Sequence, residues 1–338
     1  MATTSLPPGS EYPKHVEHRY GTDHELQKLS LWFIHPPSSD KPTSKFWIMY
    51  SQIAFSSLPI FTLADIFEQS YIHGGAWRDP LITSTSFAPT LNHLLTSHSG
   101  DVLTDIAAVA SLDYRLSEHP DFPQHGHSTT SFNLRNARHP DHVHDVHAAI
   151  AFLQDTYEFQ NNYILVGHSC GATLAFQIAM GDLILQEKEP DKSEERELCL
   201  PTRSMIAMPK AIVGISGIYD IRVLRDNYAD ASVYHEFIVG AFGVDEEDWD
   251  HVSPARHTSF DKTWPSGELV IIAHSVSDGL IEPAQIKMMR TRLENLPPKQ
   301  PTLEVISVTD LEGAHDELWE NGKQIASTIA LAVKKLKK

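Results

Sequence analysis

The sequence predicts an α/β domain with a mostly parallel central sheet and helices on both faces. Short apolar runs recur along the chain, helix-like stretches separate them, and no internal repeat is apparent. Strands separated by helices of this length are expected to run parallel, because a parallel pair needs a long crossover connection. The 338 residues are interpreted as one domain, 1–338, long enough to bury a sizeable core.

Apolar periodicity places the elements in chain order. Strands are predicted at 29–34, from 45 to 48, and at 106–111, 163–167, 211–216, 269–274 and 303–308. Helices are predicted at 86–95, 141–157, 172–180 and about 316–335. The segment 181–205 carries a charge-dense run and is predicted to be a solvated surface excursion.

Residues 49–70 depart from this pattern. The run 46–64 has no charged residue, so a membrane span is one interpretation, but Pro59 and many Ser and Thr argue against it. An extra surface or lid element is a second interpretation. A third is a retained intron, since joining Ile48 to Tyr71 restores an uninterrupted buried strand that ends at a glycine turn. A transcript that encodes the whole segment would refute the third.

Composition narrows the classes of partner. The formal net charge of −17 argues against nucleic acid or an anionic membrane as partner, because phosphate binding needs clustered Lys and Arg. The two cysteines, Cys170 and Cys199, form no disulfide framework and no zinc spacing, which is typical of a reducing compartment. Residues 1–20 contain no apolar core of a secretory signal. We therefore expect a cytoplasmic protein.

The stretch GHSCG at 167–171 predicts a nucleophile elbow. It follows an apolar run and precedes a helical pattern, which would place Ser169 on a sharp strand-to-helix turn with its hydroxyl above the sheet. The N–H of Cys170 would then lie free at the start of the helix. An ordinary Gly-flanked turn is the alternative for so short a pattern.

Two further residues complete a catalytic triad with Ser169. Asp278 follows the strand 269–274 and His315 follows the strand 303–308, so both are expected at the carboxyl edge of the sheet. Serine, acid and histidine occur in the chain order of the α/β-hydrolase triad. Asp220 is a rival acid but is interpreted as a helix cap, and Asp310 lies too close to His315 in sequence.

The second glycine-containing motif is His73-Gly74-Gly75. Without Cβ atoms, the two glycines can expose consecutive N–H groups toward Ser169, so an oxyanion hole is predicted from Gly74, Gly75 and Cys170. His73 is expected to hold the loop by a side-chain hydrogen bond.

A cluster of potential metal ligands comprises His139, His142, His144, Asp145 and His147. No zinc-binding pattern occurs there, and Asp141 is explained as the cap of the helix that follows. No metal site is therefore predicted.

Together, HGGAWRDP at 73–80, GHSCG at 167–171, Ser277-Asp278 and GAHD at 313–316 resemble the fungal kynurenine formamidases, α/β-hydrolases near the hormone-sensitive-lipase-like esterases. The resemblance runs from about Leu29 to the end of the chain and departs at 49–70. It implies the α/β-hydrolase fold and hydrolysis of N-formyl-L-kynurenine to L-kynurenine and formate, in tryptophan degradation toward NAD. It implies a small aromatic formamide as substrate.

In the expected mechanism, His315 activates Ser169 and no metal or organic cofactor takes part. Trp77, Tyr219 and Trp319 are candidate walls of the aromatic end of the pocket. A general carboxylesterase with the same triad and a non-catalytic ligand-binding relative are the alternatives. Oligomeric state stays open, with a homodimer as one option.

Overall fold

The computed structural model describes residues 12–35, 45–53, 76–96, 100–181, 184, 205–298 and 302–337. Within them, eight strands form one sheet in the order β1-β2-β4-β3-β5-β6-β7-β8. The strands are β1 (Lys14–Arg19), β2 (Lys28–Phe33), β3 (Phe46–Ile53), β4 (Ile106–Leu112), β5 (Tyr163–Ser169), β6 (Ala211–Ile215), β7 (Leu269–Ser275) and β8 (Glu304–Leu311).

The sheet is mostly parallel, as predicted. β1 pairs antiparallel with β2, and β2 pairs antiparallel with β4. From β4 to β8 every neighbouring pair is parallel. The sequence analysis missed β1 because its residues, KHVEHR, lie at an exposed sheet edge and lack an apolar face.

Helices cover both faces of the sheet. They are α1 (Ala88–Thr96), α2 (Gly100–Leu103), α3 (Asp141–Tyr157), α4 (Cys170–Met180), α5 (Ile221–Asn227), α6 (Ser232–Phe242), α7 (Glu246–Val252), α8 (Phe260–Thr263), α9 (Pro283–Glu294), α10 (Glu317–Asn321) and α11 (Lys323–Leu336). One core cluster packs α3, α4, α6 and α9 on one face, and a second packs α1, α10 and α11 on the other. Alternate residues of the inner strands, such as β3 and β5, supply the two clusters.

Strand β3 corrects the prediction that it breaks at residue 49. It continues to Ile53 and pairs with β5 from Trp47 opposite Tyr163 to Ile53 opposite Ser169. Met49 and Tyr50 are fully buried on opposite faces, because their apolar side chains continue the alternation of the strand. Residues 49–53 therefore belong to a central strand of the sheet rather than to a surface element. The rest of 49–70, with its lid and intron interpretations, lies outside the described residues.

The predicted helix at 316–335 is two helices. Gly322 separates α10 from α11 with a left-handed φ of 74°. A Cβ atom there would lie 2.3 Å from the backbone nitrogen of Thr90, so only glycine fits this contact with α1. The predicted surface excursion at 181–205 lies mostly outside the described residues, although Gly181 and Ile184 are buried.

A search of the described residues finds no helix long and apolar enough to cross a membrane.

Candidate active site

Ser169 ends β5 and immediately precedes α4. Its backbone has φ 55° and ψ −129°, which is strained for a residue with a side chain and is the geometry expected of a nucleophile elbow. A Cβ on Gly167 would lie 2.2 Å from the carbonyl oxygen of Gly171, so the turn closes only with glycine at 167. Since Cys170 is the first residue of α4, its N–H has no partner within the helix.

His315 and Asp278 form a buried pair at the same edge of the sheet. The Nδ1 atom of His315 lies 2.8 Å from the Oδ2 atom of Asp278, and both side chains are almost completely buried. The other oxygen, Oδ1, accepts hydrogen bonds from the backbone N–H groups of Leu280 and Ile281. The carboxylate is therefore held in one orientation.

Electrostatics keeps this carboxyl ionised. Burial works to raise the pKa of Asp278, but the charge of His315 and its hydrogen bond hold that pKa well below the ordinary aspartate range. The Nε2 atom of His315 is buried and has no hydrogen-bond partner among the described residues. An imidazole with Nδ1 on a carboxylate and Nε2 unpaired is arranged to accept a proton at Nε2.

His168 places the imidazole of His315 beside the elbow. Its ring packs against that of His315 at an interplanar angle of 42° with 4.6 Å between centroids, and His168 is the residue before Ser169. Burial, reinforced by the neighbouring His315, lowers the pKa of His168 well below its usual value. His168 is therefore a neutral packing surface for His315 at neutral pH.

A third histidine, His274, lies near the carboxylate of Asp278. Its Nδ1 atom is 3.8 Å from Oδ2 of Asp278 and 3.5 Å from the hydroxyl of Ser216. Burial lowers the pKa of His274, and the negative charge of Asp278 works against that shift. His315 and His274 thus both approach Oδ2 of Asp278, and His168 packs against His315.

Comparison with known proteins agrees with this geometry. A kynurenine formamidase-like hydrolase of Fusarium equiseti is 38% identical over 267 residues, which covers 78% of this chain and 81% of that protein. A kynurenine formamidase of Aspergillus versicolor is 38% identical over 272 residues, covering 75% and 84%. The chain belongs to the kynurenine formamidase family. Residues 124–293 also match the family described as BD-FAE.

Solved structures support the same fold for this family member. A truncated carbohydrate esterase from gut microbiota superposes with a TM-score of 0.56 at 17% identity, covering 95% of this chain and 96% of that one. Esterase B from Lactobacillus rhamnosis superposes with a TM-score of 0.56 at 14% identity, covering 96% and 88%. The predicted α/β-hydrolase fold is confirmed.

Part of the predicted oxyanion hole lies outside the described residues. Gly74 and Gly75 belong to that part, and their role stays a prediction. The described chain resumes at Ala76 and Trp77, whose φ angles of 39° and 66° are left-handed for residues with a side chain. Such strain is concentrated at functional segments, which is consistent with a sharply bent loop here.

The structure does not bring the three candidate pocket walls together. Trp77 is fully buried against Phe242 of α6, with 4.8 Å between ring centroids. Tyr219 is fully buried edge-on to Phe176 of α4. Trp319 belongs to the core cluster on the other face of the sheet, because α10 packs there. The sequence could not distinguish these faces, since all three aromatics follow strands.

Asp220 has the structural role that the sequence predicts. Its side chain caps α5 by accepting a hydrogen bond from the N–H of Val223, and it pairs with Arg256. Asp278, and not Asp220, is the acid that contacts His315.

The histidine cluster around α3 serves packing in the part of the chain that the structure describes. There, no group of three or more His, Cys, Asp or Glu residues could hold a metal ion. Asp145 binds the guanidinium of Arg115, and His142 is buried with its Nε2 atom 3.1 Å from the hydroxyl of Ser117. The cap prediction for Asp141 is wrong: Asp141 is the first helical residue, and its carboxylate pairs with Arg115.

The sequence analysis missed His168, His274, Ser216 and Ser275 as parts of this site. His168 lies inside the elbow motif and His274 is the residue before the end of β7, so their position at the carboxyl edge was a usable signal. The hydroxyl of Ser275 donates a hydrogen bond to the carbonyl of Gly313, which is in another loop, so Ser275 was not recognisable from the sequence.

Proposed function

We propose that this protein hydrolyses N-formyl-L-kynurenine to L-kynurenine and formate, within tryptophan degradation toward NAD and in the cytoplasm. The observation that carries the proposal is the buried hydrogen bond between His315 and Asp278 beside the strained Ser169 turn. The names of the two relatives described above indicate the formamide substrate.

The first step is attack by the Ser169 hydroxyl on the formyl carbon. The Nε2 atom of His315 accepts the hydroxyl proton, while Asp278 holds Nδ1–H and stabilises the imidazolium. The oxyanion of the tetrahedral intermediate accepts hydrogen bonds from the N–H of Cys170 and from the predicted donors Gly74 and Gly75.

Collapse of the intermediate breaks the bond between the formyl carbon and the aryl nitrogen. His315 returns its proton to that nitrogen, so L-kynurenine leaves as a neutral aryl amine and a formyl ester remains on Ser169. Water, deprotonated by His315, then attacks the ester. As the bond between the formyl carbon and the Ser169 oxygen breaks, His315 returns this proton to Ser169, and the released formic acid ionises to formate in solvent. Atoms and protons balance without a metal or an organic cofactor in any step.

Replacing Ser169 tests the proposal directly. We expect Ser169→Ala to lower kcat for N-formyl-L-kynurenine by roughly 10⁴-fold or more, because no other group takes over the nucleophile's role. Circular dichroism and the unfolding midpoint confirm that the variant is folded. Near-normal formamide turnover by folded Ser169→Ala would refute the assignment.

A general carboxylesterase is the second candidate, since the structural neighbours above are esterases. Values of kcat/KM for N-formyl-L-kynurenine and for short aryl esters distinguish the two, because a generalist favours the activated ester. A non-catalytic relative is tested by fluorophosphonate, which should label Ser169 in the wild type and leave Ser169→Ala unlabelled.

A further inference from the structure

A cavity of about 380 Å³ lies between the loop of residues 118–138 and helix α6. Its wall includes side chains of both charges and one aromatic ring: Arg78, His119, Phe122, Arg135, Arg138 and Glu236. None of the three triad residues lines it. The cavity is large enough for the amino-acid part of a small aromatic substrate.

The charge of this wall differs from that of the protein. Three guanidinium groups face two carboxylates, those of Glu118 and Glu236, whereas the whole chain carries a net charge of −17. Burial lowers the pKa of His119, and the positive charge of Arg78 lowers it further, so the His119 ring is neutral at neutral pH. A cavity with both charge signs and a small positive excess is suited to a zwitterion.

Arg135, which lines this cavity, has one hydrogen-bond donor without an acceptor among the described residues. Its Nη2 atom donates to the carbonyl of Phe122 over 2.8 Å, and its backbone N–H donates to the side chain of Gln124. Its Nε–H is buried and has no acceptor among the described residues. Because buried donors are nearly always paired, this N–H is expected to bind an acceptor that enters the cavity, either a water molecule or a group of a ligand.

Arg78 and Glu236 also line the cavity, and they form an ion pair. The Arg78 side chain is only 9% exposed, and its guanidinium pairs with the carboxylate of Glu236, whose side chain is 54% exposed. The ion pair therefore holds Glu236 at the cavity while leaving about half of its side chain accessible. An ammonium group is the natural partner for the remaining lone pairs.

The backbone connects this cavity to the elbow. Arg78 directly follows Trp77, whose backbone lies against the buried thiol of Cys170, the residue after Ser169. The carbonyl of Trp77 also accepts a 2.9 Å hydrogen bond from the N–H of Ser117, at the start of the loop that forms the cavity. The strained segment thus contacts the elbow at Trp77 and lines the cavity at Arg78.

We propose that this cavity binds the amino-acid end of the substrate, with Arg135 on the α-carboxylate and Glu236 on the α-ammonium. The inference rests on the proposed function and specifies its substrate class as arylformamides that carry a free α-amino acid. In N-formyl-L-kynurenine a ring, a keto group and a methylene separate the formamide from that zwitterion. The planar guanidinium matches a carboxylate with two parallel donors.

The test compares two formamides in the full-length enzyme. N-formyl-L-kynurenine carries the zwitterion, and N-formyl-2-aminoacetophenone presents the same aryl formamide without it. We expect Arg135→Gln to lower kcat/KM for the first about 10- to 100-fold, mainly through KM, and to change the second less than about twofold. Arg135→Lys should lose less activity than Arg135→Gln, since lysine keeps the positive charge but lacks the two parallel N–H donors of the guanidinium.

Arg290→Gln is the matched control, because Arg290 lies on α9, pairs with Glu294 and is not part of the cavity wall. It should leave both substrates unchanged. Equal losses for both formamides with Arg135→Gln would assign Arg135 a structural role and overturn the proposal. An unchanged kcat/KM for N-formyl-L-kynurenine would overturn it as well.

Binding of the product gives a readout that needs no turnover. Isothermal titration of L-kynurenine into Ser169→Ala protein should show a Kd that Arg135→Gln raises by about the same 10- to 100-fold. Failure of the proposed function gives a different result. The wild-type enzyme would then hydrolyse neither formamide, and the subsite proposal would be rejected together with the proposed function. If only the subsite assignment is wrong, wild-type turnover is intact and Arg135→Gln affects both formamides equally or neither of them.

Discussion

The hydroxyl of Ser275 donates a hydrogen bond to the carbonyl of Gly313. Ser275 is the last residue of β7, and Gly313 lies two residues before His315. The end of one strand therefore ties down the loop that follows the next strand. Gly313 accepts this arrangement because its φ of 104° suits a residue without a Cβ. The position of His315 depends on this contact as well as on Asp278.

Ser275→Ala should loosen that loop. A hydrogen bond of this kind contributes about 1 kcal/mol, so we expect kcat for the formamide to fall about two- to fivefold with little change in KM. Steady-state kinetics measures the effect. Ser259→Ala is the control, since the Ser259 side chain makes no capping bond to α8. A Ser275→Ala enzyme with wild-type kcat would show that Asp278 alone positions His315.

Asp278→Asn should nearly abolish turnover. The amide can no longer hold Nδ1–H of His315 as a carboxylate does, so kcat is expected to fall by about 10⁴-fold. Asp310→Asn is the matched control, because Asp310 is an exposed acid on β8 and should leave kcat within about twofold. The assignment of the acid is wrong if Asp310→Asn or Asp220→Asn causes the large loss and Asp278→Asn does not.

Asp113 should make stability depend on pH. Burial raises the pKa of Asp113 to about 7 from 3.8, against the lowering effects of Lys28 and of the Ser84 hydrogen bonds. Because the folded pKa is the higher one, the native state retains the proton and the stability from it is lost as pH rises from about 4 to about 7. The effect is on the order of a few kcal/mol.

Asp113→Asn should remove this dependence. Urea unfolding gives the unfolding free energies of wild type and variant at about pH 5 and at about pH 8. The pH dependence due to Asp113 is the amount by which the gap between the two proteins changes from one pH to the other. We expect Asp113→Asn to be relatively more stable at the higher pH. A difference that is the same at both pH values would contradict the raised pKa.

Gly167→Ala should damage the elbow. The new Cβ would meet the Gly171 carbonyl at 2.2 Å, and backbone cannot yield as a flexible side chain can, so a loss of about 1–3 kcal/mol or more is expected. Gly126→Ala is the control, because a Cβ there meets nothing within 4 Å. Thermal unfolding compares the two variants. Equal unfolding temperatures would show that the elbow tolerates a side chain.

Some of the site was predictable from residue order alone. Parallel strands end at one edge of a sheet, so side chains just after them converge, and Asp278 and His315 meet for this reason. The glycines around Ser169 likewise predicted the turn, because a strand can enter a helix so abruptly only where no Cβ intervenes. The helix at 141–157 was predicted because its apolar period is strong.

The sequence by itself determined the mostly parallel α/β architecture, the order of the proposed triad residues and the strand-to-helix elbow, because each depends on local periodicity or on position after a strand. Only the tertiary structure decided that β3 continues through Met49, that Trp319 faces the other core, and that Ser275 holds the loop of His315. It alone formed the cavity of Arg78, Arg135 and Glu236. These features depend on contacts between residues far apart in the chain, and local side-chain patterns carry no record of which distant partner packs against them.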